Sequence, residues 1–323
     1  MSFIKFDFHT FIDHAARGEL ALVQEMLDSD DLRRNGNLNE ALVRAAENGH
    51  VDVVDCLLRH VMFDPSAEGN RAVRFAAANG HVAVVERLLQ DPRADPSARD
   101  NEAFRVAAMN GHVAVVERLL RDARVDPSAI DNPAVQSAAG NGHLAVVERL
   151  LQDERVDPSA VGNLAIRVAA QRGHLSVVEC LLQDKRVDPS DDDNDAVRWA
   201  AENGQLAVIN RLLQDLRVDP SAVDNYAVKS AAASSHFAVV DRLLEDVRVD
   251  VAAAILHSRP HHHKRFEYRE RLTEICIALQ DLELPAWVTV QILDAARPWS
   301  TLPLHSKWNL VCTIKHFVTP HKQ

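Results

Sequence analysis

The residues best suited to chemistry in this chain recur on a fixed beat. Gly-His pairs stand at Gly49-His50, Gly80-His81, Gly111-His112, Gly142-His143 and Gly173-His174, thirty-one residues apart. Imidazole is a metal ligand and a proton shuttle. Ligands sharing one zinc lie within about 2.0–2.1 Å of it, whereas stacked helices are about 8–10 Å apart. Successive repeat His therefore cannot share an ion, and each is expected to bond loop backbone instead. A basic ladder keeps the same phase: Arg74, Arg105, Arg167, Arg198 and Lys229, with Gln136 interrupting. It could form a stripe for an acidic ligand. The favoured reading is that each fork of donors holds neighbouring loop carbonyls or the Asp of Asp-Pro-Ser. The Glu86-Arg87, Glu117-Arg118 and Glu148-Arg149 pairs read as a solvated face.

Outside the beat, His261, His262 and His263 lie in HSRPHHHKR, where a loosely bound metal competes with a solvated linker, the favoured reading. With His257, His305 and His316, and His321 at the end, they are the supply for an enzyme hidden in residues 256–323, and no nucleophile is spaced to use them. No Ser/His/Asp arrangement, Gly-rich phosphate loop or HExxH is present. The expectation is a non-catalytic chain, with no catalytic residue, no metal and no cofactor.

The elements that must position these residues follow from the period. Asn39, Asn70, Asn101, Asn132, Asn163, Asn194 and Asn225 repeat at thirty-one residues, as do Asp-Pro-Ser triplets starting at Asp64, Asp95, Asp126, Asp157, Asp188 and Asp219. A period of this size marks a solenoid. In the unit from Asn101 to Asp131, Asn101 reads as an N-cap. Ala103, Phe104, Ala107 and Ala108 form one helical stripe, and Gly111 ends that helix. The second helix runs from Val113 to about Arg121, with Val113, Val116, Leu119 and Leu120 inward. Proline and turn-forming Asp and Ser then close the unit. No unit buries both faces alone, so stability must come from stacking. Phe3, Phe6, Phe8 and Phe11 are expected to lid the first, worn unit.

The chain has 323 residues and a net charge of -11. Residues 256–323 hold nine Lys and Arg against six Asp and Glu, so the preceding part carries about -14. That charge is a poor match for phosphate backbones, and no nucleic-acid partner is expected. MSFIKFDFHTFIDHAARGEL lacks the pattern of a signal peptide, and no apolar run reaches the ~20 residues that span a membrane. Cys56, Cys180, Cys276 and Cys312 form no CxxC pair, which suits a reducing compartment. A cytoplasmic or nucleocytoplasmic monomer without membrane contact is expected.

Ala107-Ala108, Gly111-His112, Val115-Val116, Leu119-Leu120 and Val125-Asp126 resemble the AAxxGHxxIVxxLLxxGAD line of the ankyrin repeat, over about residues 8–255. The family's TPLH opening is replaced by Glu102-Ala103-Phe104-Arg105, and the unit is shortened in the finger loop. The resemblance implies an all-α class: an α-solenoid of helix–turn–helix repeats with abbreviated fingers, acting as a protein-binding scaffold. Three parts are expected: the repeat array 1–255, a His/Arg-rich linker 256–265 and a helical module 266–323. Within the last, Leu284-Pro285, Ile292-Leu293 and Leu310-Val311-Cys312 resemble an F-box, a segment that docks onto a Skp1-type adaptor of cullin ubiquitin ligases. Leu284, Pro285, Trp287, Ile292, Leu293, Trp308, Val311 and Cys312 would carry that docking. Alternatively the module only caps the array, leaving a plain scaffold or decoy.

The partner is expected to be read by residues the units do not share. Just before each Asn these are Arg99, Ile130, Val161, Asp192 and Val223. Near the end of the first helix they are Met109, Gln171, Arg172 and Glu202. In the ankyrin family such positions lie on finger tips and the concave helix face. Ile130, Val161 and Val223 would form an apolar strip there.

Overall fold

Alanine pairs and leucine pairs set the packing of each cassette. Ala107, Ala108, Leu119 and Leu120 are buried, as are their equivalents Ala76, Ala77, Leu88 and Leu89 one period earlier. The alanines are small enough for first helices to approach closely, while each buried leucine adds roughly 1.5–3 kcal/mol. In the computed structural model, which describes residues 8–28, 38–234, 236–246 and 248–249, the result is a series of paired helices.

The chain divides into two compact units at Ala160 and Val161. In the first, the pairs are α1 (Phe8–Arg17) with α2 (Leu20–Leu27), α3 (Asn39–Glu47) with α4 (Val51–Leu58), and α5 (Ala67–Ala78) with α6 (Val82–Leu89). α7 (Ala98–Met109) with α8 (Val113–Leu120) and α9 (Pro133–Gly140) with α10 (Leu144–Leu151) complete it. α1, α3, α5, α7 and α9 pack in succession, and α2, α4, α6, α8 and α10 do the same. The second unit is built from α11 (Ala160–Arg172), α12 (Leu175–Gln183), α13 (Asp191–Glu202), α14 (Leu206–Leu212), α15 (Ala222–Ala233) and α16 (Phe237–Leu244). There α13 packs on α15, and α12, α14 and α16 pack in succession.

The helix–turn–helix reading and the first-helix stripe hold: Ala103, Phe104, Ala107 and Ala108 are all buried. In the second helix the inward stripe is Val115, Val116, Leu119 and Leu120. Val113 is only half-buried, because it opens α8 directly after His112 at the mouth of the turn. Among the described residues there is no strand, so the shortened finger is a turn and not a hairpin. The aromatic lid is partly corrected. Phe11 is a core residue whose ring lies 6.3 Å from that of Phe63. Phe3 and Phe6 lie outside the described residues, as do the linker 256–265 and the module 266–323.

Candidate functional site

Each unit closes on a turn of left-handed backbone. Arg99, Asp100 and Asn101 have φ of 55°, 58° and 59°, and Ile130, Asp131 and Asn132 have 54°, 60° and 60°. Val161-Gly162-Asn163, Asp192-Asp193-Asn194 and Val223-Asp224-Asn225 repeat this in the second unit. The turn is held by an i+4 bond: Asn101 N–H donates to Ser97 O at 2.9 Å, and Asn225 N–H to Ser221 O at 2.8 Å. Left-handed backbone costs roughly 1–2 kcal/mol per residue. Asn, Asp and Gly tolerate it best, whereas β-branched side chains are outliers there.

This geometry corrects the reading of the periodic Asn as an N-cap. α7, α9, α13 and α15 have no side-chain cap bond; Asn132, at the cap position itself, is left-handed. Asn101 is the third left-handed residue of its turn, and its side chain is buried. Its Oδ1 accepts from Asp126 N–H at 3.1 Å, twenty-five residues on, and Asn163 does the same for Asp188 at 2.9 Å. The residue therefore ties the two ends of its own cassette. At the far end, Asp126 Oδ1 accepts from Ser128 N–H at 2.9 Å and Ser128 Oγ at 2.6 Å. The Ser128 hydroxyl holds the Asp126 carboxyl below the usual carboxylate range.

The basic ladder serves the turn. Arg105 donates to Asp100 O at 3.1 Å and Arg99 O at 3.3 Å, and Arg74 to Gly69 O at 3.1 Å and Glu68 O at 3.2 Å. Gln136, where the ladder is interrupted, still reaches Asp131 O at 2.6 Å. Five donors in one plane can collect carbonyls that the left-handed backbone splays outward.

The repeat His bridges cassettes. His112 Nε2 donates to Ala78 O, and His143 Nε2 to Met109 O, each at 2.9 Å. In the second unit Gln205 takes the place of His and donates from Nε2 to Gln171 O at 3.3 Å. The His112 ring lies over Gly80, where a Cβ would meet Nδ1 at 2.6 Å; Gly80 also has φ of 78°, so both contact and conformation require glycine.

A further bridge has a periodic signal that the turn reading passed over: Asp-x-Arg, at Asp91/Arg93, Asp122/Arg124, Asp153/Arg155, Asp184/Arg186, Asp215/Arg217 and Asp246/Arg248. Arg124 grips Asp122 in a fork, with bonds of 2.9 and 2.8 Å, and sends Nη1 to Ala94 O of the cassette before at 2.7 Å. Arg217 does the same to Asp215 and Val187 O in the second unit. The Arg124 and Arg217 guanidiniums, by hydrogen bonding, hold the Asp122 and Asp215 carboxyls below the usual range.

With the frame accounted for, the partner candidates separate from it. Ile130 is 57% exposed, Val161 52%, Val223 48% and Met109 42%. Arg99, Arg172, Asp192 and Glu202 are also exposed, and Gln171 is half-buried. Arg99, Met109 and Ile130 belong to the first unit; Val161, Gln171, Arg172, Asp192, Glu202 and Val223 belong to the second. The first residue of each left-handed turn is thus displayed, together with Asp100, Asp131, Asp193 and Asp224 at the second place, while the third, Asn, is buried.

Sequence reasoning missed the residues one and five places after each Asn. With the eighth, they share a helix face by their i, i+4, i+7 spacing. In the second unit they supply Asp195, Trp199 and Tyr226. The Arg167 guanidinium stacks over the Trp199 ring at 4.7 Å, and that of Arg198 over the Tyr226 ring at 4.8 Å. Asp195, nearly buried, joins the two, at 2.5 Å from Arg167 and 2.9 Å from Arg198. Asp192 meets Arg167 at 2.7 Å. The adaptor-docking candidates Leu284, Pro285, Trp287, Ile292, Leu293, Trp308, Val311 and Cys312 lie outside the described residues. Among those described, no helix is long and apolar enough to cross a membrane.

The family model described as ankyrin repeats matches the chain in three copies, over residues 11–100, 104–193 and 166–255. No curated protein matches it.

Proposed function

Because the chain belongs to the ankyrin repeat family, we propose that it is a non-catalytic scaffold that grips a protein partner on the first-helix face, the concave face of the family. One observation carries this reading. The backbone adopts a costly left-handed turn in cassette after cassette, and the residue displayed first on it is the one that does not repeat. Ile130, Val161 and Val223 are β-branched residues in a conformation such residues avoid, and they are exposed. Strain of this kind is retained where surrounding structure or function requires it. The Asn and Arg bonds supply the structural support; the choice of displayed side chain needs another reason, and partner reading provides one. Arg99, Met109, Gln171, Arg172, Asp192 and Glu202 would add the polar part of the contact.

Affinity capture with the intact chain tests this. Ile130→Ser with Met109→Ala in the first unit, and Val161→Ser with Val223→Ser in the second, should each reduce recovery of the bound protein while leaving the helical circular dichroism intact. Undiminished recovery with both pairs changed would defeat the assignment.

The C-terminal residues 266–323 we read as a separate helical module, with Leu284-Pro285, Ile292-Leu293 and Val311-Cys312 as an F-box-like hook for a Skp1-type adaptor. The spacing of those residues supports this. If the full chain fails to retain such an adaptor under conditions where an F-box protein does, the module serves as a cap for the array.

A further inference from the structure

The second unit carries a surface whose chemistry narrows the partner. We propose that the first-helix face of α13 and α15, with the start of α11, receives an extended polypeptide segment that sets a Lys or Arg beside an apolar side chain. This rests on the scaffold reading and sharpens it.

The apolar half is on view. Val161, Val223 and Tyr226 are exposed, at 52%, 48% and 37%, and Trp199 is half-buried with the Arg167 guanidinium over its ring. Aromatic side chains flanked by polar groups are the commonest anchors of protein contacts. The charged half follows from which carboxylates are already used. Asp195 is consumed by Arg167 and Arg198, and Asp192 by Arg167. Asp193 and Glu202 are exposed and pair with no cation among the described residues. An incoming cation can therefore be neutralised here without displacing an internal bond, whereas an incoming carboxylate would meet uncompensated negative charge. Such complementarity steers encounter and rejects the wrong sign. The face also shows twice what it does with a guanidinium: Arg167 and Arg198 lie over Trp199 and Tyr226. An arginine from outside would repeat that chemistry on the exposed part of Tyr226. An extended segment fits because the displayed positions recur once per cassette, at Val161, Asp192 and Val223.

The probe is a fluorescein-labelled peptide that alternates Lys and Leu with Gly-Ser spacers. One twin carries Glu for Lys and another Ser for Leu. Fluorescence anisotropy with the full chain should show binding of the Lys/Leu peptide, weaker binding of the Ser twin and none of the Glu twin. Asp193→Asn with Glu202→Gln should weaken the Lys/Leu peptide about tenfold, and Tyr226→Ala by a similar factor. All three residues are exposed, so these variants should fold, and circular dichroism verifies it. Equal binding of the Glu twin, or unchanged affinity in the variants, overturns the proposal. So does a larger gain from Lys264→Ser with Arg265→Ser than the loss from the acidic pair, because the chain's own basic segment would then be the occupant. If no probe binds while Ile130-dependent capture of a natural partner persists, the basic-segment assignment falls and the scaffold reading stands. If both fail, both fall.

Discussion

The two units write different text on the same frame. In the first, the face neutralises itself along its surface. Glu40 lies 2.8 Å from both Arg44 and Arg71, Glu47 is 2.9 Å from Arg44, and Glu102 is 2.8 Å from Arg74. Most of these groups keep substantial contact with water. In the second, Arg167 and Arg198 lie over aromatic rings, as Arg71 does over Phe75 in the first, but these two share the buried Asp195, and the acids left over face outward. The Asn, Gly and Asp-x-Arg bonds are alike in both. The difference teaches that stability and recognition are carried by separable positions of one cassette.

The largest effect that would break this contrast is at the shared acid of each face. Asp195→Ala should cost about 3 kcal/mol, since it removes the buried carboxylate from the largely buried Arg198 and leaves Arg167 with only the exposed Asp192 as carboxylate partner among the described residues. Glu40→Ala should cost about 1 kcal/mol or less, because its partners are more exposed. Urea denaturation measures both. Equal losses would mean that the second-unit network is an ordinary surface ion-pair cluster.

A smaller and opposite effect is expected at the displayed turn residues. Val223→Gly should stabilise by roughly 1 kcal/mol, by relieving a β-branched residue at φ of 51°. The same change should weaken partner capture. Thermal melts and capture read the two sides, and a variant that loses stability as well would deny that the turn is strained for display.

The smallest difference between units is expected on acidification. Arg124 and Arg155 hold Asp122 and Asp153 below the usual carboxylate range in the first unit; Arg186, Arg217 and Arg248 do so for Asp184, Asp215 and Asp246 in the second. The unfolded chain binds protons that these folded carboxylates refuse. Their contribution is therefore full above the ordinary Asp value of about 3.9 and is lost as pH falls through the lower folded values. Melting temperature measured down that window should fall for both units together. A drop confined to one unit would show that the bridge is not shared.

Much of the frame was legible because burial leaves a periodic trace. Ala107, Ala108, Leu119 and Leu120 are small or branched for packing reasons, and the period names them. The role of Asn101 was not legible, since an Asn before a helix can cap it or reach inward to the far end of its cassette, and residue type alone does not decide between the two. Asp122 and Arg124 were overlooked because a turn explains their residue types without a bond between cassettes. On the candidate site, Ile130, Val161 and Val223 stood out by breaking the repeat. Trp199 and Tyr226 did not, because their neighbours in other cassettes vary without drawing attention to one helix face.

The His–Gly contact has a directional consequence. His112 reaches back over Gly80, His143 over Gly111 and His236 over Gly204, so in each unit a cassette carries a key on one side and a slot on the other. Joints of this head-to-tail kind are heterologous, so each joint leaves a further key and a further slot unused. A duplicated cassette brings its own key and its own slot and can be spliced between any two others. The number of cassettes is thus free to change by recombination, one reading position at a time, without redesign of a single joint.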